Sequence, residues 1–162
     1  MTEPVREITP DVDAGTVLAG AQFMDAFRVD VGSTNVNARE ACTRMVLNGP
    51  RWVDALVRLR NILVTPFGLK KSGEGAPAPG GLIGLFPVLS ETPERLIAGF
   101  NDFHLDFRIV VDVAKDAASR QVTVTTLVKT NNLLGRTYLT LITPFHKIVA
   151  RGMMGRIAEP VR

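Results

Sequence analysis

Apolar residues along this chain keep two different periods. Between Asn131 and about Ile157, Leu134, Tyr138, Leu141, Phe145 and Ile148 recur at steps of four and three, with Ile142 and Val149 on the shoulder. Arg136, Thr140, Thr143, Lys147 and Arg151 take the opposite side. That spacing draws one apolar stripe along a helix and predicts that the stripe is buried. At about 1.5 Å per residue the helix is roughly 37 Å long, enough to cross a small domain.

Elsewhere the period is two. Phe23, Phe27, Val29 and Val31 alternate with Met24, Arg28 and Asp30, which predicts a half-buried strand over Gln22–Val31. Four more strands are expected at Leu82–Leu89, Arg95–Phe100, Phe103–Ala114 and Gln121–Thr130, joined by short polar turns. In the third of these, Phe103, Leu105, Phe107, Ile109, Val111 and Val113 share one face, and His104, Asp106, Arg108, Val110 and Asp112 share the other. Short connections between consecutive strands imply an antiparallel meander.

Two short helices are expected after the first strand. One runs from about Asn37 to Leu47 and ends at Asn48-Gly49. The second begins at Pro50, a tolerated first-turn position, and places Trp52, Leu56, Leu59 and Leu63 on one side before Pro66 and Gly68 stop it. Residues 1–20 read as a polar lead-in and 70–81 as a Gly/Pro-rich loop. That loop lacks the Gly-Lys-Ser/Thr of a phosphate cradle, and its prolines remove backbone donors. The order is strand, two helices, a meander and one long C-terminal helix. It predicts a single α+β domain in which a curved antiparallel sheet grips the long helix.

Composition narrows the function classes. The chain has 162 residues, 46% apolar and 22% charged, as an ordinary globular domain does. One cysteine, Cys42, excludes an intrachain disulfide framework. No signal-peptide pattern opens the sequence and no window is apolar enough to span a membrane, so a cytoplasmic location is expected. The net charge of +3 gathers in two blocks. Residues 51–71 carry five basic and one acidic residue, as do residues 131–162. Solvated helix faces explain such blocks, and an anionic membrane surface is the alternative they leave open. No basic run interleaved with aromatics supports nucleic-acid binding.

Candidate chemistry is sparse. His104, Asp106 and Arg108, alternating on a strand, offer the densest polar set, though two ligands do not close a metal site. The simpler expectation is a solvated face with Asp106 and Arg108 paired across strands. His146 sits on the helix shoulder after Pro144, and Tyr138, the sole tyrosine, lies on the apolar stripe and needs a polar partner. Tyr138, His104 and His146 are the candidate proton donors if the protein is an enzyme. Glu91 and Glu94 flank Pro93 in a turn, where water is their expected surrounding. No metal site and no cofactor fingerprint is found.

Several stretches resemble a known family: Pro50-Arg51-Trp52-Val53, Phe67-Gly68-Leu69, Phe86-Pro87-Val88-Leu89-Ser90-Glu91, His104-Leu105-Asp106-Phe107-Arg108 and Thr143-Pro144-Phe145-His146. The chain resembles an uncharacterised bacterial family of domains of unknown function, usually placed in the START-like superfamily. That superfamily has the helix-grip fold and also contains the birch-pollen allergen and the polyketide cyclase-like proteins. The resemblance runs from about Phe23 to Met153. It implies a cavity between sheet and helix that takes a small apolar molecule, and it brings no catalytic residues. Five strands are readable, fewer than the seven of the fuller members. The residues expected to line the cavity are Trp52 and Leu56 from the second helix and Phe100, Phe103 and Phe107 from the sheet. The long helix adds Tyr138, Leu141 and Phe145. The expected function is binding of an apolar ligand. A cyclase- or dehydratase-like enzyme and a peripheral membrane binder are the alternatives.

Overall fold

The computed structural model describes residues 4–49, 51, 55, 58, 80–83, 86–101, 104–116 and 118–157. The chain is α+β, with one seven-stranded antiparallel sheet of order β1-β2-β7-β6-β5-β4-β3. The strands are β1 (Arg6–Ile8), β2 (Phe23–Asp30), β3 (Leu82–Ile83), β4 (Phe86–Glu91), β5 (Arg95–Asn101), β6 (Leu105–Lys115) and β7 (Arg120–Thr130). The helices are α1 (Ala14–Val17), α2 (Ala38–Leu47) and α3 (Leu133–Met154). Two of the seven strands go beyond the sequence reading. β1 lies in the supposed lead-in, and the expected Leu82–Leu89 strand is divided into β3 and the start of β4. The proposed second helix and the Gly/Pro-rich loop fall largely outside the described residues. Arg51, Ala55 and Arg58, all helical and exposed, are what is described of that helix.

The register assigns the faces. Phe27, Val124, Val111 and Leu96 lie side by side across β2, β7, β6 and β5, as do Asp25, Thr126, Ile109 and Ala98. Both rows belong to the face on which α2 and α3 pack. Fully burying one of the larger apolar side chains contributes about 1.5–3 kcal/mol. The core on this face unites Phe27, Val88, Leu96 and Val111 with Ala41, Cys42 and Met45 of α2, with Met154 at the end of α3 and with Ile157 just beyond it. The back face carries a smaller cluster, in which Leu18 covers Val110 and Leu127 with help from Val12, Val17 and Ile97. Residues 6–8 are therefore an edge strand and residues 12–18 a cap on the back face, where Val12, Val17 and Leu18 find apolar cover, while Val5 packs against the main core.

Local chemistry sets the helix boundaries. Asn37 and Asn132 are extended N-caps whose side chains accept from Glu40 N and Gly135 N. This satisfies donors that the first turn leaves open. α3 continues for 22 residues, through Pro144. Its first turn approaches the sheet closely at Gly135, where an added Cβ would collide with the His104 carbonyl. That carbonyl also accepts from Asn131 N at 3.0 Å.

This close approach turns α3 away from the orientation its apolar stripe predicts. Leu141, Phe145 and Ile148 are exposed at 68%, 59% and 60%, so they do not sit in the core. The side that packs carries Gly135, Leu139, Ile142, His146, Val149 and Met153, about one residue or roughly 100° round from the predicted stripe. More than half of the circumference is apolar, and the small residue at Gly135 selects which part touches the sheet.

Candidate functional site

The polar groups of interest gather where the middle of α3 crosses β1 and β2. Asp25 shares the parity of Phe23, Phe27 and Val29 on β2, so the pleat directs it to the packed face. It is only 6% exposed. His146 meets it from α3, with Nε2 at 3.2 Å from both carboxylate oxygens. A carboxylate only accepts, so Nε2 carries the proton and donates. One N–H serves one oxygen: the hydrogen bond goes to Oδ1, and Oδ2 stays buried without a donor. The Phe23 ring stands edge-on to the imidazole, with centroids 5.8 Å apart. Thr126 is the cross-strand neighbour of Asp25.

Further along α3, Lys147 Nζ donates to both oxygens of Glu7 on β1, at 2.9 and 3.2 Å. Arg151 reaches 4.0 Å from Glu7 and places its guanidinium carbon 5.6 Å from the centre of the Phe27 ring. The middle of α3 is thus fastened to the sheet edge by charge, whereas its C-terminal part is fastened by apolar contact.

His104 lies elsewhere than its strand pattern predicts. It occupies a bend just before β6, where alternation no longer governs direction, and is fully buried. Its ring is edge-on to Tyr138 of α3, at 5.4 Å between centroids. The expected row therefore disperses. Asp106 accepts from Asn131 Nδ2 at 3.1 Å, and Arg108 donates to the carbonyls of Phe100 and Phe107 at 3.2 and 2.8 Å. The expected pairing of Asp106 with Arg108 is replaced by a bidentate one between Arg95 and Asp112 on the same face, at 2.6 and 3.0 Å. Burial pulls the Arg108 guanidinium down from its ordinary value, with Asp106 acting in the opposite sense.

Among the residues expected to line a cavity, Phe100 and Phe107 are half-buried on the helix-bearing face. With Phe86 they form an aromatic row, Phe107 lying 5.9 Å from Phe86 and 5.6 Å from Phe100 between ring centroids. Tyr138 is half-buried against His104, while Leu141 and Phe145 are exposed. Trp52, Leu56 and Phe103 lie outside the described residues.

The remaining candidates are structural. Glu91 forms a bidentate pair with Arg39 at 2.6 and 2.8 Å, and the Arg39 hydrogen bond holds its carboxyl below the usual range. The pair borders a shallow cleft of about 260 Å³ with Asn37, Thr92 and Pro93. Cys42 is buried in α2, and desolvation pushes its thiol up to about 12, which leaves no thiolate for nucleophilic work. No group of three or more metal-binding side chains occurs among the described residues, and no described helix is long and apolar enough to cross a membrane.

The sequence reading found His146 but missed Asp25. The signal was present: a carboxylate in phase with Phe23 and Phe27 on a strand whose other inward positions are apolar.

Residues 17–153 match the model of a family described as protein of unknown function (DUF2867), and the chain belongs to that family. No match was found among curated proteins or among solved structures.

Proposed function

We propose that this member of the family is a helix-grip protein of the START-like kind that binds a small apolar molecule beside α3. What supports the fold reading is the antiparallel sheet with a long C-terminal helix on one face. The observation that carries the function is a pair of apolar surfaces that the described residues leave partly open. On the sheet it is the half-buried row Phe86–Phe107–Phe100. On the helix it is the shoulder of Leu141, Phe145 and Ile148, left exposed.

Their placement follows from the anchors of α3. Lys147 looks toward β1 at one edge of the sheet order. Leu141, Phe145 and Ile148 lie between about 100° and 160° from Lys147 round the helix. They therefore look the other way along the sheet, toward the strands that carry the phenylalanines. A groove with apolar walls and few polar groups is the usual form of a small-molecule site.

The test is titration with an apolar fluorophore such as Nile red, on the native chain and on Leu141→Ser, Phe145→Ser and Phe100→Ser. Each truncation removes contact worth about 1.5–3 kcal/mol, so affinity should fall about tenfold or more. Affinity unchanged in all three variants removes the groove.

A second reading is favoured by a separate observation. α3 has no acidic residue between Leu133 and Met154, while Arg136, Lys147 and Arg151 are exposed on a basic side that faces away from Leu141 and Phe145. A helix of that kind suits an anionic membrane surface. Co-sedimentation with phosphatidylserine vesicles that weakens with salt and is absent with phosphatidylcholine supports it. No sedimentation with either lipid removes it.

A further inference from the structure

α3 carries two apolar stripes of the same spacing. On the packed side Gly135, Leu139, Ile142, His146 and Val149 each directly follow a member of the outer stripe Leu134, Tyr138, Leu141, Phe145 and Ile148. A turn of α3 by one residue, about 100°, therefore exchanges one stripe for the other. In the middle of the helix apolar burial favours the exchange. Phe145 and Ile148 would replace His146 and Val149, and Leu141, Phe145 and Ile148 are exposed as the helix stands. The two ends favour the observed rotation instead. Gly135 fits beneath the His104 carbonyl, and Met153 and Met154 join the core. Pro144 stands between those ends and has no N–H for the Thr140 carbonyl, so the helix is softest where burial opposes its rotation.

What holds the middle is polar. Asp25 is the one carboxylate buried among the described residues, and His146 meets it from 121 positions away in sequence. Phe145 directly precedes His146, so the exchange would bring a phenylalanine ring to where the imidazole stands. The buried carboxylate would then lose its donor. Stranding a buried charge carries a large penalty, whereas a buried pair adds little net stability over an apolar pair of the same size. Such a pair is suited to choosing between close alternatives, as one buried polar residue fixes the register of a coiled coil. Glu7–Lys147 favours the same rotation, but both side chains are exposed and the pair is weak.

We propose that Asp25 and His146 form a rotational latch: the middle of α3 has a second docked rotation with Leu141, Phe145 and Ile148 turned inward, and the pair selects the rotation that keeps them outward. The proposal stands independently of the ligand-binding reading, since it concerns what fixes the helix and not what covers its shoulder.

The experiment compares the native chain with the doubly apolar Asp25→Leu, His146→Leu variant. A para-fluorine label on the ring of Phe145, and in a second sample on that of the buried Phe27, reports accessibility through the relaxation caused by a soluble nitroxide in fluorine NMR. In the native chain the Phe145 label should relax strongly and the Phe27 label weakly. In the apolar variant Phe145 should fall to the level of Phe27, with the urea midpoint at or above the native one. His146→Leu alone, which strands Asp25, should lower that midpoint. The polar pair Asp25→Asn, His146→Gln should leave Phe145 accessible.

Phe145 as accessible in the apolar variant as in the native chain overturns the proposal, because the rotation then persists without the latch. Inward turning in the Asn–Gln variant also overturns it, because a polar contact has failed to select the rotation. Both labels accessible in the apolar variant would overturn it too, since the pair would then be needed for the fold itself.

Discussion

Among the described residues, α2 and α3 lie on the same face of one sheet and hold to it by different means. α2 is sealed: Ala38, Ala41, Cys42 and Met45 are buried against Val88, Leu96 and Val111. α3 is sealed at its two ends, by Gly135 against the His104 carbonyl and by Ala150, Met153 and Met154, which join that core. Over its middle it rests on Asp25–His146 and Glu7–Lys147, with an apolar shoulder in the open. A helix kept solely for stability would turn Leu141, Phe145 and Ile148 inward. On the proposed reading, the α2 half of the sheet holds the fold and the α3 half takes the ligand.

The sharpest way to break this comparison is the same truncation on each side. Leu96→Ala removes a fully buried side chain and should cost about 2–5 kcal/mol in urea unfolding. Leu141→Ala should stay within about 0.5 kcal/mol while weakening Nile red binding. Equal costs would mean that the α3 shoulder is core after all.

A smaller effect is expected at Gly135, where the rotation of α3 is set. Gly135→Ala forces a methyl against the His104 carbonyl and should cost about 1–3 kcal/mol. Amide exchange should rise through the first turns of α3 and stay unchanged in α2. Uniform exchange in both helices would show that Gly135 does not govern the docking of α3.

The smallest effect belongs to the surface pair that ties α2 to β4. The Arg39 hydrogen bond holds the Glu91 carboxyl lower in the folded chain than in the unfolded one. Its contribution is therefore present above the ordinary carboxylate pKa and lost as pH falls through the depressed folded value. Glu91→Gln should be slightly less stable than the native chain at neutral pH and equal to it in acid. A difference that persists in acid would assign the effect to packing.

Much of this architecture was legible in the sequence because it is local. Asn37 and Asn132 announce their helices, and the alternation from Leu105 to Val113 assigns the packed face of β6 correctly. What escaped is relational. Periodicity shows that a helix has an apolar stripe but not which side meets the sheet when most of the circumference is apolar. On α3 that was settled by the fit of Gly135 under one carbonyl. His104 was misassigned because strand parity was carried back into a bend. Asp25 was readable from parity alone, yet its partner lies on an element 121 residues away, and nothing along the chain announces that meeting.

The central claim is that the surface between α3 and the phenylalanine row is occupied by a small apolar molecule. Native mass spectrometry of the purified chain, before and after exposure to an apolar cell extract, tests it most directly. The account predicts a folded species heavier than the chain by one small molecule, and loss of that species in the paired Leu141→Ser, Phe145→Ser variant. Bare folded chain under both conditions, or an adduct that persists in the paired variant, would contradict it.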